Sequence, residues 1–91
     1  MPLKPAYVEA HNNHGFALGL QGRLNEAIQQ FQEALRLKPD YAEAHYNRGI
    51  ALAQREHYTE ARVRFQEALR LDSRLQAAHD ALELVDSKAD K

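Results

Sequence analysis

The sequence predicts an all-α fold in which antiparallel helix pairs repeat along one axis. Three observations predict it. Residues 8–41 align on residues 42–75 without a gap, and nearly half of the aligned positions are identical. Within each repeat, apolar residues recur with the 3.6-residue period of an amphipathic helix. Gly22 and Pro39 punctuate the first repeat where the chain has to turn.

The repetition is visible in short segments. Glu33-Ala34-Leu35-Arg36-Leu37 returns as Glu67-Ala68-Leu69-Arg70-Leu71, and Glu9-Ala10-His11 returns as Glu43-Ala44-His45. Ala78-His79 repeats part of the latter a third time, and Leu3-Lys4-Pro5-Ala6-Tyr7 echoes Leu37-Lys38-Pro39-Asp40-Tyr41. The sequence therefore opens on the tail of one repeat and closes after the first helix of another. Residues 1–91 form one domain, with repeat 1 at 8–41, repeat 2 at 42–75, a capping helix at 75–85 and a polar tail at 86–91.

In the first helix, Ala10, His14, Ala17 and Leu18 follow the spacing of a buried stripe. Gly22, in Gln21-Gly22-Arg23, can end that helix in a left-handed conformation. Asn25, and Thr59 in the second repeat, are expected to cap the second helices. Ala27, Ile28, Phe31, Ala34 and Leu35 form the second stripe, and Pro39 closes the repeat. Repeat 2 departs at both punctuation points. Glu56 replaces Gly22 and demands a different turn, and Ser73 replaces Pro39, letting the chain run more continuously into the last helix. That helix carries Leu75, Ala78, Leu82 and Val85 on one side and Gln76, Asp80 and Glu83 on another, the pattern of a cap over the end of a stack.

Composition narrows the function. The 91 residues include no cysteine, so disulfides and thiolate metal sites are excluded. The formal net charge is −1 with both signs interspersed, which lacks the clustered Lys and Arg of a nucleic-acid footprint. No apolar run approaches the ~20 residues that span a bilayer. Met1-Pro2-Leu3-Lys4-Pro5 has no apolar segment of the signal-peptide kind, and a cytoplasmic location is expected.

The 34-residue offset and the residues at fixed places within it resemble the tetratricopeptide repeat. The small residue that the family favours at its eighth position is Gly15 and Gly49. Its alanines at positions twenty and twenty-seven are Ala27, Ala61, Ala34 and Ala68. Its aromatic at position twenty-four is Phe31 and Phe65, and its proline at thirty-two is Pro39 alone. Small side chains there let helices cross closely. His11, His45 and His79 stand where a large apolar residue is common, and His14 and Arg48 where leucine is usual. The resemblance covers Val8 to about Val85. It implies a right-handed superhelix whose first helices line a concave groove for an extended peptide or a partner's helix.

The same resemblance implies which residues face the groove. Asn13 and Asn47 share the sixth position, where some relatives carry an asparagine ladder. An amide can donate to and accept from a peptide backbone; the alternative is a solvated polar residue. Asn12 is a weaker candidate on the same wall. Phe16, Ile50 and Leu84 share the ninth position and, with Leu20 and Tyr46, form either an apolar strip on the wall or a partly buried seam. Glu9, Glu43 and Asp80 make the groove acidic, unlike tetratricopeptide domains that clamp acidic tails with Lys and Arg.

Catalysis finds no support in the residues. His11, His45 and His79 lie one repeat apart, and neighbouring helix axes are roughly 8–10 Å apart, too far for rings that must each approach a zinc ion to about 2 Å. No metal and no cofactor is expected. Ser73 and Ser87 have no activating context, and Gly15, Gly19 and Gly22 follow no strand. The function expected is a non-catalytic adaptor that binds another protein or an extended peptide on its concave face, without nucleic acid or membrane. The alternative is a module that self-associates weakly through its open repeat edges.

Overall fold

The computed structural model describes residues 5–89, with side chains for residues 7–88. Five helices follow one another: α1 (Pro5–Leu20), α2 (Leu24–Leu37), α3 (Ala42–Gln54), α4 (Tyr58–Leu71) and α5 (Gln76–Ala89). α1 pairs with α2 and α3 with α4, each across a short turn that forces the partners antiparallel. α3 then packs on α2, and α5 on α4. The described residues form an all-α stack of two helix pairs and a capping helix. The echo in Leu3 and Lys4, and Asp90 and Lys91 of the tail, lie outside the described residues.

The larger of two cores runs the length of the stack, and Val8, Ala34, Leu35 and Ala44 form the smaller one. Leu18, Ala27, Ile28 and Phe31 of the first pair join Ala51, Leu52, Ala61 and Phe65 of the second, and Val85 of α5 closes the row. The expected stripe of the second helices is buried in full: Ala27, Ile28, Phe31, Ala34 and Leu35. The crossing of each pair is set by a glycine against a ring. A Cβ on Gly15 would lie 2.6 Å from Phe31, and one on Gly49 would lie 2.6 Å from Phe65. Real Cβ atoms do not approach that closely, so these helices meet at this distance only because the position is glycine.

Five local expectations are corrected. The buried side of α1 is not Ala10, His14 and Ala17, which are exposed, but Val8, Asn12, Gly15 and Leu18. The equivalent Ala44 and Ala51 are buried in α3, as are Ala78 and Val85 in α5, because a second-type helix precedes each of them. Asn25 and Thr59 do not cap: both lie inside their helices, since α2 and α4 begin two residues earlier than expected, after Arg23 and His57, with no side-chain cap bond. Glu56 does not change the turn. It adopts φ 64° where Gly22 has 78°, and both turns close alike. Arg23 N donates to Leu18 O and His57 N to Leu52 O, each at 2.9 Å, the bond that ends a helix through a left-handed residue.

Ser73 does not let the chain run on. Leu75 N donates to Asp72 O at 3.2 Å, as Tyr41 N does to Lys38 O at 3.2 Å. Two histidines brace these loops from the following helix, since His45 Nε2 donates to Pro39 O at 2.9 Å and His79 Nε2 to Ser73 O at 3.1 Å. The same histidine-to-carbonyl bond holds both bends, so the loop keeps its shape whether proline or serine stands there. Finally, α5 runs past Val85 to Ala89, so Ser87 and Lys88 are helical. Arg62 and Asp86, 2.6 Å apart, tie α5 to α4.

Candidate functional site

The first helices of the pairs, α1 and α3, and the cap α5 stand side by side and present one continuous face. Three cavities lie along it. One of about 120 Å³ sits between α1 and α3, lined by Phe16, Gly19, Leu20, Tyr46, Ile50 and Gln54 over a floor of Gly15, Phe31, Asn47 and Ala51. A second of about 270 Å³ lies between α3 and α5, where Ile50, Ala53, Gln54 and Tyr58 meet Leu84, Val85 and Lys88. Ile50 and Gln54 are the ridge between them. A third, of about 500 Å³, occupies the other end of the same helices, lined by Asn12, Asn13, Phe16, Ala42, Glu43, Tyr46, Asn47, Asp72 and Leu75.

The apolar strip expected from the ninth position is assembled here. Phe16 is 54% exposed, Leu20 76% and Leu84 60%, with Tyr46 and Ile50 half-buried between them. Tyr46 is held by the Phe65 ring, centroids 5.9 Å apart and planes tilted by 45°. A run of exposed apolar side chains beside cavities of side-chain size is the surface a partner's apolar residues would cover.

The asparagines are arranged differently from the expectation. Asn12 is not a rung on an exposed wall. It is 1% exposed, and its Oδ1 accepts a hydrogen bond from Asn47 Nδ2 at 3.0 Å. Asn47 is buried too, so one of its donors is committed to the fold. A buried amide left unpaired is costly, and the two asparagines satisfy one another across α1 and α3. Asn13 is the exposed asparagine of the three.

The acidic character is also redistributed. Glu43 lines the third cavity, but Glu9 lies in a separate small recess with Val8, Lys38 and Tyr41. Asp80 is exposed and accepts from Gln76 Nε2 at 3.1 Å, and is not among the residues around these cavities. Asp72, absent from the sequence-based set, takes their place beside Glu43. Its counterpart in repeat 1 is Lys38, whose ammonium sits 5.3 Å from the centre of the Tyr41 ring. Burial raises the Tyr41 phenol above its ordinary pKa, and the Glu43 and Glu9 carboxylates add to the rise. Asp72 and Leu75 sit in the loop before α5, and equivalence with Lys38 and Tyr41 was the available signal for them. Among the described residues, Lys88 is the one Lys or Arg around the three cavities.

Three of the five histidines are occupied structurally. His11 Nδ1 donates to Gln30 Oε1 at 2.8 Å, and His45 and His79 hold the loop carbonyls described above. Among the described residues no three His, Cys, Asp or Glu side chains converge as a metal site would require.

Residues 20–55 match the family described as TPR repeat, and residues 42–75 match the one described as Tetratricopeptide repeat. The chain belongs to the tetratricopeptide repeat family. No curated protein matches it. Among solved structures, this tetratricopeptide chain is similar to one described as the first TPR of Spaghetti (RPAP3) bound to HSP90 peptide SRMEEVD. The likeness has a TM-score of 0.62 at 15% identity and covers 100% of this chain and 99% of that one. At that identity the likeness is one of fold. No helix among the described residues is long and apolar enough to cross a membrane.

Proposed function

We infer that this chain is a non-catalytic adaptor module that holds a protein or peptide segment against the face formed by α1, α3 and α5. The carrying observation is the contiguous strip of Phe16, Leu20, Tyr46, Ile50 and Leu84, exposed or half-buried beside two apolar cavities. Solvent-exposed Phe and Leu in this density have no role in the core of the stack. Three of the five histidines, His11, His45 and His79, are engaged in bonds that hold the fold. The similar Spaghetti domain, described with an HSP90 peptide bound, makes a peptide the natural kind of ligand to try. We place the module in the cytoplasm.

The test is a peptide-array screen followed by amide chemical-shift mapping with the strongest binder. Perturbations are expected around Phe16, Leu20 and Ile50, and Phe16→Ser with Leu20→Ser should abolish them. Shifts confined to the outer faces of α2 and α4 would refute the reading.

A second reading has its own observation. Ala10, His14 and Ala17 are exposed on α1, although the equivalent Ala44 and Ala51 and Ala78 and Val85 are buried by the helix before them. Self-association through this uncovered edge would bury it. Sedimentation across a concentration series decides: a monomer throughout removes self-association and leaves the peptide reading intact.

A further inference from the structure

We propose that the groove selects a short extended segment with two apolar side chains three residues apart and a Lys or Arg beside the first of them. This rests on the groove being the binding face. The spacing follows from the two apolar cavities, which flank the Ile50–Gln54 ridge and so lie one helix apart. Packed helix axes are separated by roughly 8–10 Å. A polyproline II strand returns a side chain to the same face every third residue, after about 9.3 Å. Residues i and i+2 of a pleated strand are only about 6.7 Å apart, and i and i+4 about 13 Å. Residues i and i+3 of an extended left-handed segment therefore match the cavities, one beside Phe16 and the other beside Leu84.

The charge follows from the third cavity. It shares Phe16, Tyr46 and Asn47 with the α1–α3 cavity, so it adjoins the first anchor, and it carries Glu43 and Asp72 with no Lys or Arg. A cation beside that anchor finds two carboxylates, while a carboxylate there meets like charge. The exposed Asn13 on its rim is placed to meet the ligand backbone. This is the reverse of the peptide on the Spaghetti domain, SRMEEVD, whose sequence is dominated by Glu and Asp near its end.

The experiment measures fluorescence polarisation with labelled peptides that differ in one feature at a time. Leu-x-x-Leu preceded by Lys-Arg is compared with the same anchors preceded by Glu-Asp, and with Leu-x-Leu and Leu-x-x-x-Leu behind Lys-Arg. The basic Leu-x-x-Leu peptide should bind about tenfold or more tighter than the acidic one at low salt, with the gap narrowing as salt screens it. Glu43→Lys with Asp72→Lys, both near the surface, should invert that order. Equal or tighter binding of the acidic peptide, indifference to anchor spacing, or no binding by any of the four overturns this inference. Binding that follows a different sequence rule but is lost in Phe16→Ser with Leu84→Ser overturns it while leaving the groove reading standing. Binding unaffected by that pair overturns both.

Discussion

Asn47 on α3 donates its amide hydrogen to Asn12 on α1 at 3.0 Å, 35 residues away in the chain, and both side chains are buried. Removing either partner leaves the other buried with an unpaired polar group. Asn47→Ala or Asn12→Ala is expected to lower stability by about 1–3 kcal/mol in urea unfolding. Asn13→Ala, on an exposed side chain, should stay within about 0.5 kcal/mol of the parent. Asn13 is thus the asparagine to mutate when binding is to be tested without disturbing the fold.

The glycines of α1 and α3 divide by what faces them. Gly49→Ala puts a methyl group 2.6 Å from the fully buried Phe65 ring. Overpacking of this kind costs about 1–3 kcal/mol, against a helix-propensity gain of about 1 kcal/mol, so a net loss of up to about 2 kcal/mol is expected. Gly19 meets nothing within 4 Å, and Ala53 already stands at its place in repeat 2. Gly19→Ala should stabilise by about 0.5–1 kcal/mol. Thermal unfolding of the two variants should shift in opposite directions.

Glu56 holds φ 64° in a turn that closes like that of Gly22. A left-handed residue with a Cβ is disfavoured by roughly 1–2 kcal/mol, part of which glycine returns through its freer unfolded chain. Glu56→Gly should raise stability by about 0.5–1 kcal/mol, and Gly22→Ala should lower it by a similar amount. A midpoint unchanged in both variants would show that the turn carries no strain.

His45 should make the fold weaken in acid. Its pKa is lowered from the ordinary 6.5, first by burial, with the Arg64 and Arg48 charges adding to this and the bond to Pro39 and the Glu67 charge opposing it. The folded state therefore disfavours the imidazolium. Below pH 6.5 the unfolded chain binds a proton that the folded chain does not. Stability is full above that pH and falls as pH drops from 6.5 toward the lowered folded-state value. Urea midpoints at pH 8 and pH 5.5 should differ, and His45→Gln should reduce that difference.

The ring pair at the centre of the stack should carry much of its stability. Phe31 and Phe65 are nearly or wholly without solvent contact and each packs on a glycine of its pair. Truncation of either to alanine is expected to cost about 3–5 kcal/mol, enough to unfold a domain this small. Helical circular dichroism during urea titration reads the loss directly.

The second-helix stripe from Ala27 to Leu35 was legible because those positions face the partner helix of their own repeat, and local periodicity reports that contact. The α1 stripe was misread because Ala10, His14 and Ala17 belong to a face that is buried only when another helix precedes it. Of the groove, Phe16, Leu20, Tyr46, Ile50 and Leu84 could be named from repeat position. Asp72 carried only the weaker signal of equivalence with Lys38, a residue of opposite charge, and its loop joins the cavity through the tertiary fold.

The repeat, its helix pairs, its small-residue crossings and its apolar ninth position are written in the sequence by itself, because each depends on residues within about one turn or one period of each other. Tertiary structure alone decided that Asn12 pairs with Asn47, that Glu56 accepts the turn of Gly22, and that Asp72 rather than Glu9 or Asp80 joins Glu43 in the groove. Those outcomes depend on which helix lies against which. The burial of a polar group, the strain a backbone must bear and the sharing of a cavity are properties of neighbours in space, not of neighbours along the chain.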